Sequence, residues 1–185
     1  MKKALITANL TGFVNFLLSD MDILTSMGYH VDFAAKTDLP PEAEEFAELK
    51  KRGIAYHPIG FSAKDPFSKD NLRAFLQMRK LLQKENYTLI HCHTPITAFF
   101  TRLAAQKYRR KNKTKVIYTS HGFAFTKNGR KIQNFLYRTA ETFASLYTDM
   151  IITINEEDFL AAKKFPCRNV RKISGVGVDS ERFHR

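Results

Sequence analysis

No stretch of this sequence runs for about 18 apolar residues without interruption, so nothing in it reads as a membrane-spanning helix. Cysteine is scarce. Cys92 and Cys167 stand far apart and form no CxxC pair, which argues against a disulfide scaffold and for a reducing compartment. Tryptophan is missing altogether, and that decides nothing about the fold. No repeat recurs and no low-complexity tract interrupts the chain, so one continuous domain is expected rather than an array. The glycine-rich phosphate signatures are missing too, since there is neither a GxGxxG nor a Walker lysine. Acids are outnumbered: 18 Asp and Glu face 30 Lys and Arg, for a net charge of +12.

What is present fits one folded domain. The 185 residues are 44% apolar and include 16 Phe, enough for a sizeable core. The basic excess points to an anionic partner: nucleic acid, acidic lipid or a phosphorylated ligand. It is concentrated in Lys107–Lys115, where Lys107, Arg109, Arg110, Lys111, Lys113 and Lys115 occur with no acid among them. The N-terminal MKKALITANLTGFVNFLL is superficially like a secretory signal. Thr7, Asn9, Thr11 and Asn15 break its apolar region, however, and no small-x-small cleavage site follows. The expected location is cytoplasmic, peripheral on the inner face of the membrane.

Short apolar runs alternate with helical spacing. Strands are expected over 3–9, 30–35, 54–59, 87–92, 115–120, 149–154 and 170–173. Between them fall helices over 13–24 (stopped by Gly28), 42–52, 68–85, from Pro95 into the basic run, 131–147 and from Asn155. The helix over 131–147 puts Ile132, Phe135, Leu136, Thr139, Phe143 and Leu146 on one side. This rhythm predicts an α/β, Rossmann-like open sheet of about seven mostly parallel strands with helices on both faces.

In such a sheet ligands bind beyond the carboxyl ends of the strands. Three of these ends carry polar groups: Thr11-Gly12, His93-Thr94 and His121-Gly122. All three should lie on one edge. Gly12 would let the backbone approach a phosphate at the start of the next helix, or it is a simple turn glycine. His91 and His93 share a strand face, which invites a metal reading. A third ligand would have to be His121 or Cys167, and no carboxylate stands nearby in sequence. The simpler reading makes one histidine a hydrogen-bonded strand residue and the other a strand-tip site residue, with no metal. His121, at a strand tip before a glycine, is the leading candidate for a working group.

The succession KALITANL, LIHCHTP, VIYTSHGF, DMIITINEED and ISGVGVDSERF resembles the N-terminal half of a family 4 glycosyltransferase of GT-B type, of the bacterial capsule and exopolysaccharide kind. The resemblance spans essentially the whole chain. It implies an acceptor-side domain over 1–174 and, over 175–185, the start of a linker to a second domain that binds the nucleotide-sugar. It implies retention at the transferred sugar and no cofactor beyond the co-substrate. It implies that His121 reaches the donor sugar as the catalytic residue. Thr11 and Gly12 match the loop that approaches the donor diphosphate, although many relatives have Gly-Gly there. His93, Thr94, Gly122, Phe123 and Lys127 fall on the acceptor side. The six basic residues of Lys107–Lys115 would contact an anionic membrane that carries a lipid-linked glycan acceptor. The chain alone is expected to be inactive. Two other readings stay open: half of a GT-B nucleotide-sugar epimerase, and a non-enzymatic basic module for nucleic acid. The second lacks any recognised nucleic-acid motif.

Overall fold

The computed structural model describes residues 2–62, 66, 68–126 and 129–175. The expected linker beyond 175 and the expected acceptor contact Lys127 lie outside these residues.

Strand and helix alternate along the described residues. β1 (Lys2–Leu10) runs through a single 3-10 turn (Thr11–Phe13) into α1 (Val14–Ser26). β2 (Tyr29–Lys36), α2 (Glu44–Lys51), β3 (Ala55–Pro58) and α3 (Lys69–Glu85) follow. Then come β4 (Leu89–His93), α4 (Pro95–Asn112), β5 (Lys115–Ser120), α5 (Lys131–Ser145), β6 (Met150–Thr153), α6 (Glu156–Ala162) and β7 (Val170–Lys172). Local chemistry sets several boundaries. Ser68 caps α3 by accepting from the Asn71 amide, and Asn155 caps α6 by accepting from the Asp158 amide. Gly28 ends the turn after α1 at φ 82°, a conformation costly for any side chain with a Cβ.

The strands form one sheet in the order β3-β2-β1-β4-β5-β6-β7, with every pairing parallel. The order reverses between β1 and β4, so the strand-end crevice opens there. Each sheet face has its own core. On one, Val14, Leu17, Leu18, Met21 and Leu24 of α1 pack with Leu49 of α2 and with Ile6, Phe33 and Leu89 of the sheet. On the other, α3 and α4 pack Met78, Leu82, Ala98 and Ala105 against Ile90, Cys92, Val116 and Tyr118.

Helix α5 is built the other way round. Its apolar side faces solvent, and the residues it buries are Glu141, Ala144 and Ser145. The reason is ionic. Arg102 on α4 is fully buried and donates from Nη2 to Glu141 Oε2 at 2.7 Å and from Nε to the Ala98 carbonyl at 3.0 Å, while its guanidinium lies 4.3 Å from the Tyr118 ring centre. A buried arginine needs a partner, and the small side of α5 supplies one.

Candidate functional site

The carboxyl ends of β1, β4 and β5 meet on one edge, as parallel strands require. Alternation places Leu89, His91 and His93 on the α1 face of β4, and the register sets His93 beside Thr119 of β5. His121 follows one residue past the end of β5. Its Nε2 lies 3.0 Å from His93 Nδ1. His91 Nε2 lies 2.8 Å from the Thr119 hydroxyl, and the His91 and His93 rings lie with centres 4.2 Å apart and planes tilted by 44°.

His93 has no exposed surface. Expected to line the acceptor side, it sits instead behind His121, with Nε2 3.7 Å from Asp20 Oδ2. That gap is too long for a hydrogen bond, and His93 Nε2 is buried without one. Asp20 comes from α1, on the same helix face as Leu17 and Leu24. A lone acid in an apolar stripe was the available signal for it.

Burial governs the charge of all four groups. It holds His91 down to about 4, with the His121 ring adding a smaller push. His93 is driven well below the usual imidazole range by burial and by its two histidine neighbours. Burial also lowers His121 and raises Asp20. The histidines are therefore neutral at neutral pH, and a proton in this chain has two consistent placements. With Asp20 ionised, His93 Nε2–H faces it, His93 Nδ1 accepts from His121 Nε2–H, and His121 Nδ1 is left as an acceptor. With Asp20 protonated, the order inverts and His121 Nδ1–H becomes a donor. An ionised Asp20 thus favours the first placement through space, without a hydrogen bond.

Asp20, His91 and His93 also bring three potential metal-ligand atoms within 4.8 Å of one another. The carboxylate that a metal reading lacked in sequence is thus supplied in space. Cys167, considered as a ligand, instead directs its thiol to the carbonyls of Thr148 and Asn169. The bonds of His91 to Thr119 and of His93 to His121 already account for the histidine geometry.

Thr94 holds φ 61° between His93 and Pro95. A β-branched residue rarely adopts this conformation, at a cost on the order of 1–3 kcal/mol, and such strain concentrates at functional sites. Its hydroxyl donates to the His93 carbonyl at 2.6 Å. Gly122 has φ 139° with open space where a Cβ would stand, so backbone conformation, not crowding, favours glycine there. Phe123 is buried against Phe125, Phe165 and Tyr118, and its place is in the core. Its amide and the Ser120 hydroxyl both donate to Asp158, which ties the loop after β5 to α6.

The Thr11-Gly12 turn holds a carboxylate already. The Thr11 hydroxyl and the Gly12 amide both donate to Asp38 Oδ1, the amide at 3.3 Å. A phosphate approaching these donors must displace that acid.

The basic run lies elsewhere. Helix α4 is 18 residues long, so its last turn is roughly 27 Å from the His93 edge. Lys107, Arg110, Lys111, Lys113 and Lys115 are exposed. Arg109 is committed: Nη2 and Nε donate to Asp149 at 2.9 and 3.1 Å, and Nη1 to the Leu146 carbonyl. Lys115 Nζ lies 3.6 Å from the same Asp149, so both are removed from the set of free cations.

A family model described as Glycosyltransferase Family 4 matches residues 21–174. The chain is 40% identical over 161 residues to the putative glycosyltransferase EpsD of Bacillus subtilis (strain 168), covering 85% of this chain and 39% of that protein. It is 34% identical over 115 residues to the UDP-Gal:alpha-D-GlcNAc-diphosphoundecaprenol alpha-1,3-galactosyltransferase of Escherichia coli, covering 61% of this chain and 29% of that one. The chain therefore spans less than half the length of these relatives. Among solved structures, Acinetobacter baumannii MurG superposes with TM-score 0.59 at 16% identity, over 93% of this chain and 45% of MurG. The Neisseria meningitidis UDP-GlcNAc 2-epimerase gives 0.61 at 12%, over 93% and 45%. Likeness at that identity speaks to the fold alone.

Proposed function

Since this chain belongs to Glycosyltransferase Family 4, we propose that it is the acceptor-side half of a retaining glycosyltransferase. The longer protein moves a sugar from a nucleotide-sugar to a lipid-linked glycan in cell-surface polysaccharide synthesis. Residues 1–174 form the domain, and 175 onward leads to the nucleotide-sugar domain. The donor is a co-substrate and no other cofactor or nucleic acid takes part. Support comes from the family match and from the relative that acts on a diphosphoundecaprenol-linked sugar. The epimerase reading rests on fold likeness alone.

The observation that carries the proposal is the strand-end pair His121–His93. His121 is the catalytic group. Being neutral, it orients the donor sugar by a hydrogen bond rather than by charge, with His93 holding its ring from behind and Asp20 biasing the tautomer through space. Thr94 and Gly122 shape the acceptor side. Because Asp38 occupies the Thr11 and Gly12 donors, diphosphate contact there requires Asp38 to swing away as the cleft closes. The exposed cations Lys107, Arg110, Lys111 and Lys113 face anionic lipid, each contributing on the order of 1 kcal/mol; Lys115, at the same end, is paired with Asp149. The protein works in the cytoplasm, at the inner membrane face.

In the longer protein, His121→Ala should lower turnover at least ~tenfold with an unchanged circular dichroism spectrum. Product formation by radiolabelled sugar transfer is the measurement, and kinetics close to wild type would refute the role.

A further inference from the structure

The three helices on the face opposite α1 do not close over one another. Between α3, α4 and α5 lies a trough of about 1260 Å³. Leu72, Phe75, Phe99, Leu103, Ile132 and Leu136 line it. Several of these are conspicuously wet: Leu72 is 60% exposed, Leu136 60% and Ile132 78%. Contiguous apolar surface of this kind marks a binding site.

Two features say what fits. The first is position. Pro95 and Ile96 in the trough directly follow Thr94, and Ala124 belongs to the loop that begins at His121. The trough thus opens on the same strand-end edge as the histidine pair. The second is charge. Arg130 and Lys131 line its mouth at the first turn of α5, which has no acid and no side-chain cap. Among the described residues the one acid in the lining, Glu141, is neutralised by Arg102. Apolar walls with a cationic mouth complement a hydrocarbon chain that carries a phosphate.

We propose that this trough holds the hydrocarbon chain of a polyisoprenoid diphosphate, with Arg130 and Lys131 at the diphosphate. The inference rests on the lipid-linked acceptor reading and places the lipid on this chain. It also explains why α5 turns its apolar side outward. The exposed basic end of α4 is a separate surface, at the opposite edge of the sheet.

The chain has no tryptophan, so Phe99→Trp provides a single reporter inside the trough. Farnesyl diphosphate should shift its emission to the blue and saturate. Inorganic diphosphate alone and farnesol alone should each bind at least ~tenfold more weakly, because neither meets both halves of the site. Leu136→Asp should cost a similar factor at constant far-ultraviolet dichroism, and Lys131→Glu should flatten the salt dependence. An equal response to inorganic diphosphate would reduce the site to a simple anion contact and overturn the proposal. So would an equal response to farnesol, or none to farnesyl diphosphate. If sedimentation shows a dimer that Leu136→Asp dissolves and farnesyl diphosphate leaves intact, a second copy covers the face and the proposal fails. In the longer protein, transfer to a lipid-linked acceptor that is untouched by Leu136→Asp overturns the trough and spares the activity. Transfer confined to a water-soluble glycan overturns the lipid-linked reading itself.

Discussion

Helix α1 turns Val14, Leu17, Leu18, Met21 and Leu24 to the sheet and buries them. Helix α5 carries a stripe of the same spacing and leaves Ile132, Phe135, Leu136, Phe143 and Leu146 in water. Periodicity fixes that a helix has two sides, but it does not fix which side meets the core. That choice was made on α4. Arg102, buried under α5, draws Glu141 inward and brings Ala144 and Ser145 with it. Helix α1 meets a sheet face already apolar, so its stripe is used for folding. The stripe of α5 is left for a ligand.

Breaking the ionic side of α5 should have the largest effect. Arg102→Ala strands Glu141, whose carboxyl burial already pushes upward against the pull of Arg102. The expected loss is about 3–5 kcal/mol in urea unfolding. Replacing both partners with apolar residues of similar size should recover most of it. A double variant as unstable as the single would mean that the pair is not what orients α5.

The stripes themselves come next. Leu17→Ala should cost about 2–5 kcal/mol, because the side chain is fully buried in the α1 core. Leu136→Ala should stay within about 0.5 kcal/mol. Comparable losses at both positions would show that something covers α5 in solution, and the contrast between the helices would collapse.

Much of this molecule was legible in the sequence. Every strand and helix lies within a few residues of where periodicity, caps and glycine stops put it. The all-parallel sheet follows from the βαβ rhythm, and the sheet in turn brings His93 and His121 to one edge. Contacts that depend on how a helix is rotated over the sheet were not legible. Asp20 reaches His93 across the α1 packing, and Asp38 reaches Thr11 from beyond β2. Arg109 reads as one more cation in a basic run until Asp149 is folded against it. The same is true of α5, where five spaced apolar residues look like core and an arginine 39 positions before Glu141 decides otherwise.

Acid offers the finest division between the two helices, because the buried histidines lie under α1, whereas the group buried by α5 is Glu141, whose raised carboxyl takes up its proton in the folded state first and so works in the opposite sense. His91 is held at about 4 against an ordinary 6.5, so the folded state refuses a proton that the unfolded chain accepts. Above pH 6.5 both states are neutral and this group leaves stability unchanged. Between 6.5 and about 4 the unfolded state gains the proton first, and stability falls by about 1.4 kcal/mol per pH unit for each such histidine. His93, lowered in the same direction, adds to the slope. Hydrogen exchange on lowering the pH from 7.5 to 5.5, corrected for intrinsic rates, should therefore open β4 and the neighbouring turns of α1 ahead of α5. His91→Gln keeps a partner for Thr119 and removes one titration, so its stability should depend less steeply on pH. A slope unchanged in that variant, or protection lost first from α5, would place the acid-sensitive group somewhere other than beneath α1.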